Sequence, residues 1–185
     1  MRANVASVCS RRGLLGWCVG ASTTCLVGLA AAAGYSPAQL EAALLLQIAG
    51  FITWPSDAQL PAFEIGVLGA TDRFESLGRL AAKTTIRGAK VRVSNVSESG
   101  ELPRLHVLYL APALADRLPA VLKRLEAQPV LLATHSPGAA RQGAAVNFYE
   151  EDAQSRFEIN PDALKRRRLQ ASYKLLSLAR IVRDP

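Results

Sequence analysis

The chain offers few residues suited to bond-making chemistry. His106 and His135 are its only histidines, 29 positions apart, with no H-x-x-x-H or H-x-E pattern around either. That spacing does not build a zinc site. His106 stands among apolar neighbours in Leu105–Leu110 (LHVLYL), the setting of a core or edge histidine. His135 and Ser136 are adjacent, a placement that seldom aims an imidazole at a hydroxyl. No G-x-S-x-G elbow surrounds Ser136, and Ser136-Pro137-Gly138 reads as a turn. Gly66-Val67-Leu68-Gly69 lies where a dinucleotide loop would lie, but the third glycine and the acidic residue ending the next strand are missing. Glu150-Glu151-Asp152 could ligate a hard cation, yet three acids in a turn read as solvated charge. No catalytic residue, cofactor or metal site is expected.

Two clusters are better suited to binding. Phe51, Trp54 and Pro55 gather in a chain with only 6% aromatic residues. A Trp at a helix end before a proline is either a core plug or an exposed anchor, and Trp is among the residue types that dominate interface energetics. Lys165-Arg166-Arg167-Arg168 is the sharpest run of charge. Positions 165, 166 and 167 are expected to point away from an apolar helix face. They form either a solvated surface or a contact for an acidic partner: anionic lipid, cell-wall polymer or an acidic protein face. Phe51, Trp54, Pro55, Arg166 and Arg167 are accordingly the candidate partner-binding residues. No aromatic residues interleave with the charges, which argues against nucleic acid.

The elements that must position these residues follow from periodicity. Ser36-Pro37 opens a helix in cap-then-proline order, and Leu40, Leu44, Ile48 and Phe51 recur at helical spacing up to Trp54. Phe63–Gly69 (FEIGVLG) reads as a buried strand, and Phe74, Leu77, Leu80 and Ala81 share a helical face. Val91, Val93 and Val96 mark an alternating strand; Leu105–Leu110, His106 aside, and Pro129–Ala133 are continuous apolar strands. Between those two, Leu114, Leu118, Val121 and Leu125 form a helical stripe. Ala144–Tyr149 and Arg156–Asn160 read as a hairpin. Asn160-Pro161 caps a final helix on which Leu164, Ala171, Leu175, Leu178 and Val182 share a face. Apolar strands alternating with helices predict an α/β fold: a three-layer α/β/α sandwich with a mainly parallel sheet, an antiparallel edge hairpin and a long C-terminal helix.

The first 33 residues stand apart. Arg2, Arg11 and Arg12 precede an uncharged stretch from Leu14 that ends in Ala30-Ala31-Ala32-Ala33. This reads as a secretory signal peptide; a retained membrane anchor is the alternative, because some 20 apolar residues suffice to span a bilayer. Ser10-Arg11-Arg12 resembles a twin-arginine signal, and general secretion fits equally well. Residues 34–185 would then be a single exported domain. Cleavage removes all three cysteines (Cys9, Cys18, Cys25) and three arginines, lowering the net charge from +7 to +4. The exported domain would have no thiol, and its charge would be too modest to suggest nucleic acid.

The ordered series Phe51-Ile52-Thr53-Trp54-Pro55, FEIGVLG at 63–69, Ile86-Arg87-Gly88, His106-Val107-Leu108-Tyr109, Pro129-Val130-Leu131, Val146-Asn147-Phe148 and Arg156-Phe157-Glu158-Ile159-Asn160, with Ser172, Leu175, Leu176 and Ala179 behind it, resembles the YfiR family of exported bacterial proteins. The resemblance runs from about Gln39 to Val182. It implies a periplasmic α/β domain, a homodimer, that binds the periplasmic sensor portion of an inner-membrane YfiN-like diguanylate cyclase and holds it inactive. Cyclic di-GMP signalling and biofilm formation would fall as a result. It brings no catalytic residues. Relatives that sense redox state use cysteines, so that mode cannot carry over, and Ala144 follows Gly143 where relatives often read Gly-Gly. A second reading is a small-ligand or cell-wall binding protein that serves as sensor for a membrane kinase or receptor. Its pocket would lie where parallel strands end, near Gly69, Ala111 and Thr134.

Overall fold

The computed structural model describes residues 36–185 apart from Ala70 and Ala127. The expected signal peptide and the three cysteines lie outside the described residues. Residues 34–185 form one contact unit.

The first helix, α1 (Pro37–Gly50), starts as its sequence directs. The Ser36 hydroxyl accepts from the Gln39 N–H at 3.2 Å while the Gln39 side chain accepts from the Ser36 N–H at 3.0 Å, a reciprocal cap on two otherwise unpaired amides. The helix ends at Phe51, before the expected limit at Trp54, because Ile52–Thr53 is extended as β1. Then follow β2 (Phe63–Leu68), α2 (Thr71–Ala81), β3 (Thr85–Ile86), β4 (Ala89–Val96) and β5 (Val107–Leu110). A 3-10 segment, Pro112–Arg117, kinks at Leu114 before α3 (Leu118–Arg124), so the single stripe expected after Pro112 is split in two. The chain continues through β6 (Leu131–Thr134) and the hairpin β7 (Val146–Glu151) and β8 (Gln154–Ile159). Its two-residue turn places Asp152 and Ala153 at φ of 51° and 56°, the mirror-image turn that matches strand twist.

The main sheet has the order β10-β8-β7-β6-β5-β2-β4-β3, where β10 is Arg180–Ile181. Strands β4, β2, β5, β6 and β7 run parallel; β8 is antiparallel to β7, and β3 to β4. Because side chains alternate across a strand, the sheet feeds two cores. Ile65, Val67, Val107, Tyr109, Leu131 and Ala133 face Leu45, Ile48 and Ala49 of α1 and Leu77 of α2. Leu68, Leu108, Leu110 and Leu132 face Leu118, Val121 and Leu125 on the α3 side. A side chain as fully enclosed as Leu45, Leu108 or Leu131 contributes about 1.5–3 kcal/mol by leaving water. The expected α/β layering and mainly parallel sheet are present.

The long C-terminal helix is not. It is replaced by α4 (Pro161–Arg166), β9 (Gln170–Ala171), α5 (Tyr173–Leu176) and β10. The helix stops where Arg168 adopts φ 56°, and the extended residues beyond it find partners elsewhere. β9 pairs antiparallel with β1, Ile52 opposite Ala171, and β10 pairs parallel with β8. The edge beside the hairpin is therefore β10, with β8 one strand in.

Candidate interaction surface

The Trp54 corner is built by the exit of α1. The Ser172 N–H donates to the Phe51 carbonyl at 3.0 Å, locking β1 against the C-terminal segment. Phe51 is half-buried against the α1 core, and the Lys174 ammonium lies 5.7 Å from its ring centre, within cation–π range. Trp54 is neither fully plugged nor fully free. Its indole N–H donates to the His106 carbonyl at 3.2 Å, and its ring meets Phe63 edge-on at 5.2 Å. Phe63 stacks on the His106 imidazole at 4.5 Å. His106 is the expected buried histidine: its Nδ1 accepts from the Glu64 N–H at 3.1 Å, and burial pushes its pKa below the usual imidazole value. Trp54, Pro55, Leu60, Phe63, Arg87 and His106 wall a cavity of about 430 Å³.

The C-terminal segment presents the largest exposed apolar side chains among the described residues. Tyr173 is 87% exposed, Leu178 67% and Ile181 44%. In a continuous helix Leu178 would have joined the buried stripe; the break after Arg166 turns it outward. Sequence periodicity hides part of this set, because it puts Leu178 on the buried stripe.

The basic run divides. Arg166 pairs with Asp184, Arg168 pairs with Asp57 at 2.8 Å, and Arg183 lies 3.4 Å from Asp162. Arg168 holds the Asp57 carboxyl below its usual range. Arg167 corrects the expectation that 165–167 all point to solvent. It is only 5% exposed, and its Nη1 donates to the carbonyls of Gly143 and Ala163, each at 3.3 Å. The reason is the early end of α4: Arg167 caps the helix and folds back against Gly143. Phe51, Trp54 and Pro55 thus form one corner, while Arg166 and Arg167 line a different cavity with no lining residue in common with the first.

A buried charge network escaped sequence reading. Glu41 is buried in α1, where its carboxylate accepts from the Tyr109 hydroxyl at 2.6 Å and lies 3.3 Å from Arg73 Nη2 and 3.1 Å from His135 Nδ1. Burial works to raise the Glu41 carboxyl; the hydrogen bonds with His135 and Tyr109 and the charge of Arg73 outweigh it and hold the group below its ordinary value. The Tyr109 hydroxyl is pushed well above its usual range by burial and by the Glu41 charge. The available signal was phase: Glu41 stands four and seven residues before Leu45 and Ile48, on the buried stripe. The crevice at Gly69 and Ala111, expected as a pocket, is filled. A Cβ on Gly69 would meet Leu114 Cδ1 at 2.4 Å, and Ala111 and Thr134 are buried.

Residues 38–180 match the DUF4154 family, described as YfiR/HmsC-like. The chain belongs to the YfiR/HmsC-like family. No protein of curated function matches the chain. Among solved structures it is similar to a conserved domain protein of Vibrio cholerae O1 biovar El Tor strain N16961, with 14% identity and a TM-score of 0.55 over 79% of this chain and 60% of that one. An ABC domain from Streptococcus pneumoniae in complex with L-Trp is similar at 12% identity, TM-score 0.55, with the same 79% and 60% coverage. The YfiR/HmsC-like chain spans about 60% of the length of each. At these identities the likeness shows the α/β fold alone. Among the described residues no helix is long and apolar enough to cross a membrane.

Proposed function

We propose that this YfiR/HmsC-like domain is exported by cleavage near Ala33 and acts in the periplasm as a repressor. It binds the sensor portion of an inner-membrane signalling protein of the diguanylate cyclase kind and keeps it in its inactive conformation. The single observation that carries this reading beyond family membership is the exposed apolar set Tyr173, Leu178 and Ile181 on the C-terminal segment. Exposed large apolar side chains grouped in one short segment are what a protein contact would bury. Phe51, Trp54 and Pro55 flank β1, the strand that β9 of this segment pairs with, so both groups would serve one face. Arg166 contributes at most at the rim, being engaged by Asp184.

A regulator of this kind works by differential affinity, since a ligand equally fond of both states shifts neither. Turning a partner from mostly on to mostly off takes about 5.5 kcal/mol of preference. Burial of a few side chains such as Tyr173 and Leu178 is of the right size, at about 1.5–3 kcal/mol each.

The test is a double substitution, Tyr173→Ser with Leu178→Ser. It should leave the thermal midpoint of the domain near its natural value, because both side chains are already in water, and should abolish retention of the membrane partner and raise cellular cyclic di-GMP. Unchanged retention and unchanged cyclic di-GMP would sink the reading. The cavity beneath Trp54 supports a second reading, a small-ligand sensor, its volume of about 430 Å³ being in the range of small-molecule sites.

A further inference from the structure

Helices α3 and α4 both end at a cavity of about 500 Å³ on the other side of the basic run, closed by Gln142 and Gly143 from the loop after β6. Gly143 sits at φ +108°, a backbone conformation that favours glycine, so this turn of the wall depends on it. The Arg167 guanidinium is buried in the wall with only neutral partners, the carbonyls of Gly143 and Ala163. Its Nε–H is buried with no acceptor, and its Nη2 makes no hydrogen bond to a described residue. Among the described residues no carboxylate lies within ion-pair distance of Arg167 or Lys123, while Arg166 is shared with Asp184. Asp184 acts on Arg167 only through space and spends its hydrogen bonds on Arg166 and Asn160; a buried guanidinium with no anion in direct contact is an expensive arrangement, and a bound oxyanion relieves it.

We propose that this cavity binds a small hydroxylated phosphate monoester, with Arg167 as the buried anchor and Lys123 as the second cation. Two cations free of carboxylate partners suit a phosphate dianion. Glu126 and Gln142 on the same walls suit ligand hydroxyls, because the carboxylate accepts and the amide does both. The volume exceeds what inorganic phosphate alone would fill. Burial and the neighbouring Arg166 charge pull Arg167 down to about 10 against the opposing pull of Asp184, so the nearby carboxylate does not fully compensate the buried cation. The same chemistry is offered by a soluble polyol or sugar phosphate and by a phospholipid headgroup; the two sources are separated by the test below.

Titration calorimetry on the full chain at fixed ionic strength tests this with glycerol 3-phosphate, inorganic phosphate, glycerol and phosphatidylglycerol vesicles. Saturable binding of glycerol 3-phosphate is expected, tighter than inorganic phosphate, with none for glycerol. Lys123→Gln, exposed and away from the core, should weaken it about two- to fivefold. Arg167→Met should weaken it about 10- to 100-fold, the loss of a charge-assisted hydrogen bond. No saturable binding of either phosphate, binding to vesicles alone, or an affinity unmoved by Lys123→Gln would overturn the proposal. The Lys123 variant keeps the test decisive if the Arg167 variant folds poorly.

Discussion

Glu41 and Arg167 are two buried charges met in different ways. Glu41 lies in the α1 core with a hydroxyl, a guanidinium and an imidazole around its carboxylate. Arg167, at the end of α4, has two carbonyls and an Nε–H left without an acceptor. A carboxylate that collects donors becomes a fixed strut between α1, α2, β5 and the loop after β6. A guanidinium given only neutral partners holds less structure together and retains capacity for an anion. Burial alone therefore does not say whether a charge is structural or available; the count of matched partners does.

That contrast is open to direct attack. The largest effect is expected from Glu41→Ala, which leaves the buried Tyr109 hydroxyl without its acceptor and Arg73 with only the exposed Asp72 carboxylate, and should cost about 3–5 kcal/mol in urea unfolding; a loss below about 1 kcal/mol would remove Glu41 as a strut. Tyr109→Phe deletes one hydrogen bond to the charge and should cost about 1.5–3 kcal/mol by the same measurement. Protonation makes a related cut without mutation. Because the folded Glu41 carboxyl lies below its ordinary 4.5, its stabilisation is complete above that pH and drains away as the pH falls through the folded value. The urea midpoint of the natural chain should drop more steeply below pH 4.5 than that of Glu41→Gln; parallel curves would contradict the assignment. The smallest effect is expected for Arg167→Met, which removes a poorly paired charge while keeping the aliphatic stem. It should fall within about 1 kcal/mol of the natural chain, and a loss near that of Glu41→Ala would make the two charges equivalent after all.

The candidate surface was partly legible in sequence. Phe51, Trp54 and Pro55 were visible as an aromatic corner, and they do lie together at the exit of α1. The Tyr173, Leu178 and Ile181 patch was not visible, since a helical projection assigned Leu178 to the core. Arg167 departs from the helical projection for the same reason: α4 ends one residue before it. The crevice expected at Gly69 is closed because Leu114, on a segment that kinks into 3-10 geometry, fills it.

What the sequence by itself determined is whatever depends on neighbours a few residues apart. The Ser36-Pro37 cap, the mostly apolar strands β2, β5 and β6, the alternation of β4 and the existence of the β7–β8 hairpin all follow from local hydrogen bonding and from which faces must leave water, although Glu150 and Glu151, expected in the turn, belong to β7 and the chain turns at Asp152-Ala153. Tertiary structure decided the C-terminal segment of the domain. Residues 161–182 carry a helical apolar period, yet the unpaired edges of β1 and β8 offer hydrogen bonds to Gln170–Ala171 and Arg180–Ile181. Those partners lie more than a hundred residues away in one case and about twenty in the other, beyond the reach of any local period. Helix propensity amounts to tenths of a kcal/mol per residue, and a few long-range backbone hydrogen bonds with their packing suffice to override it.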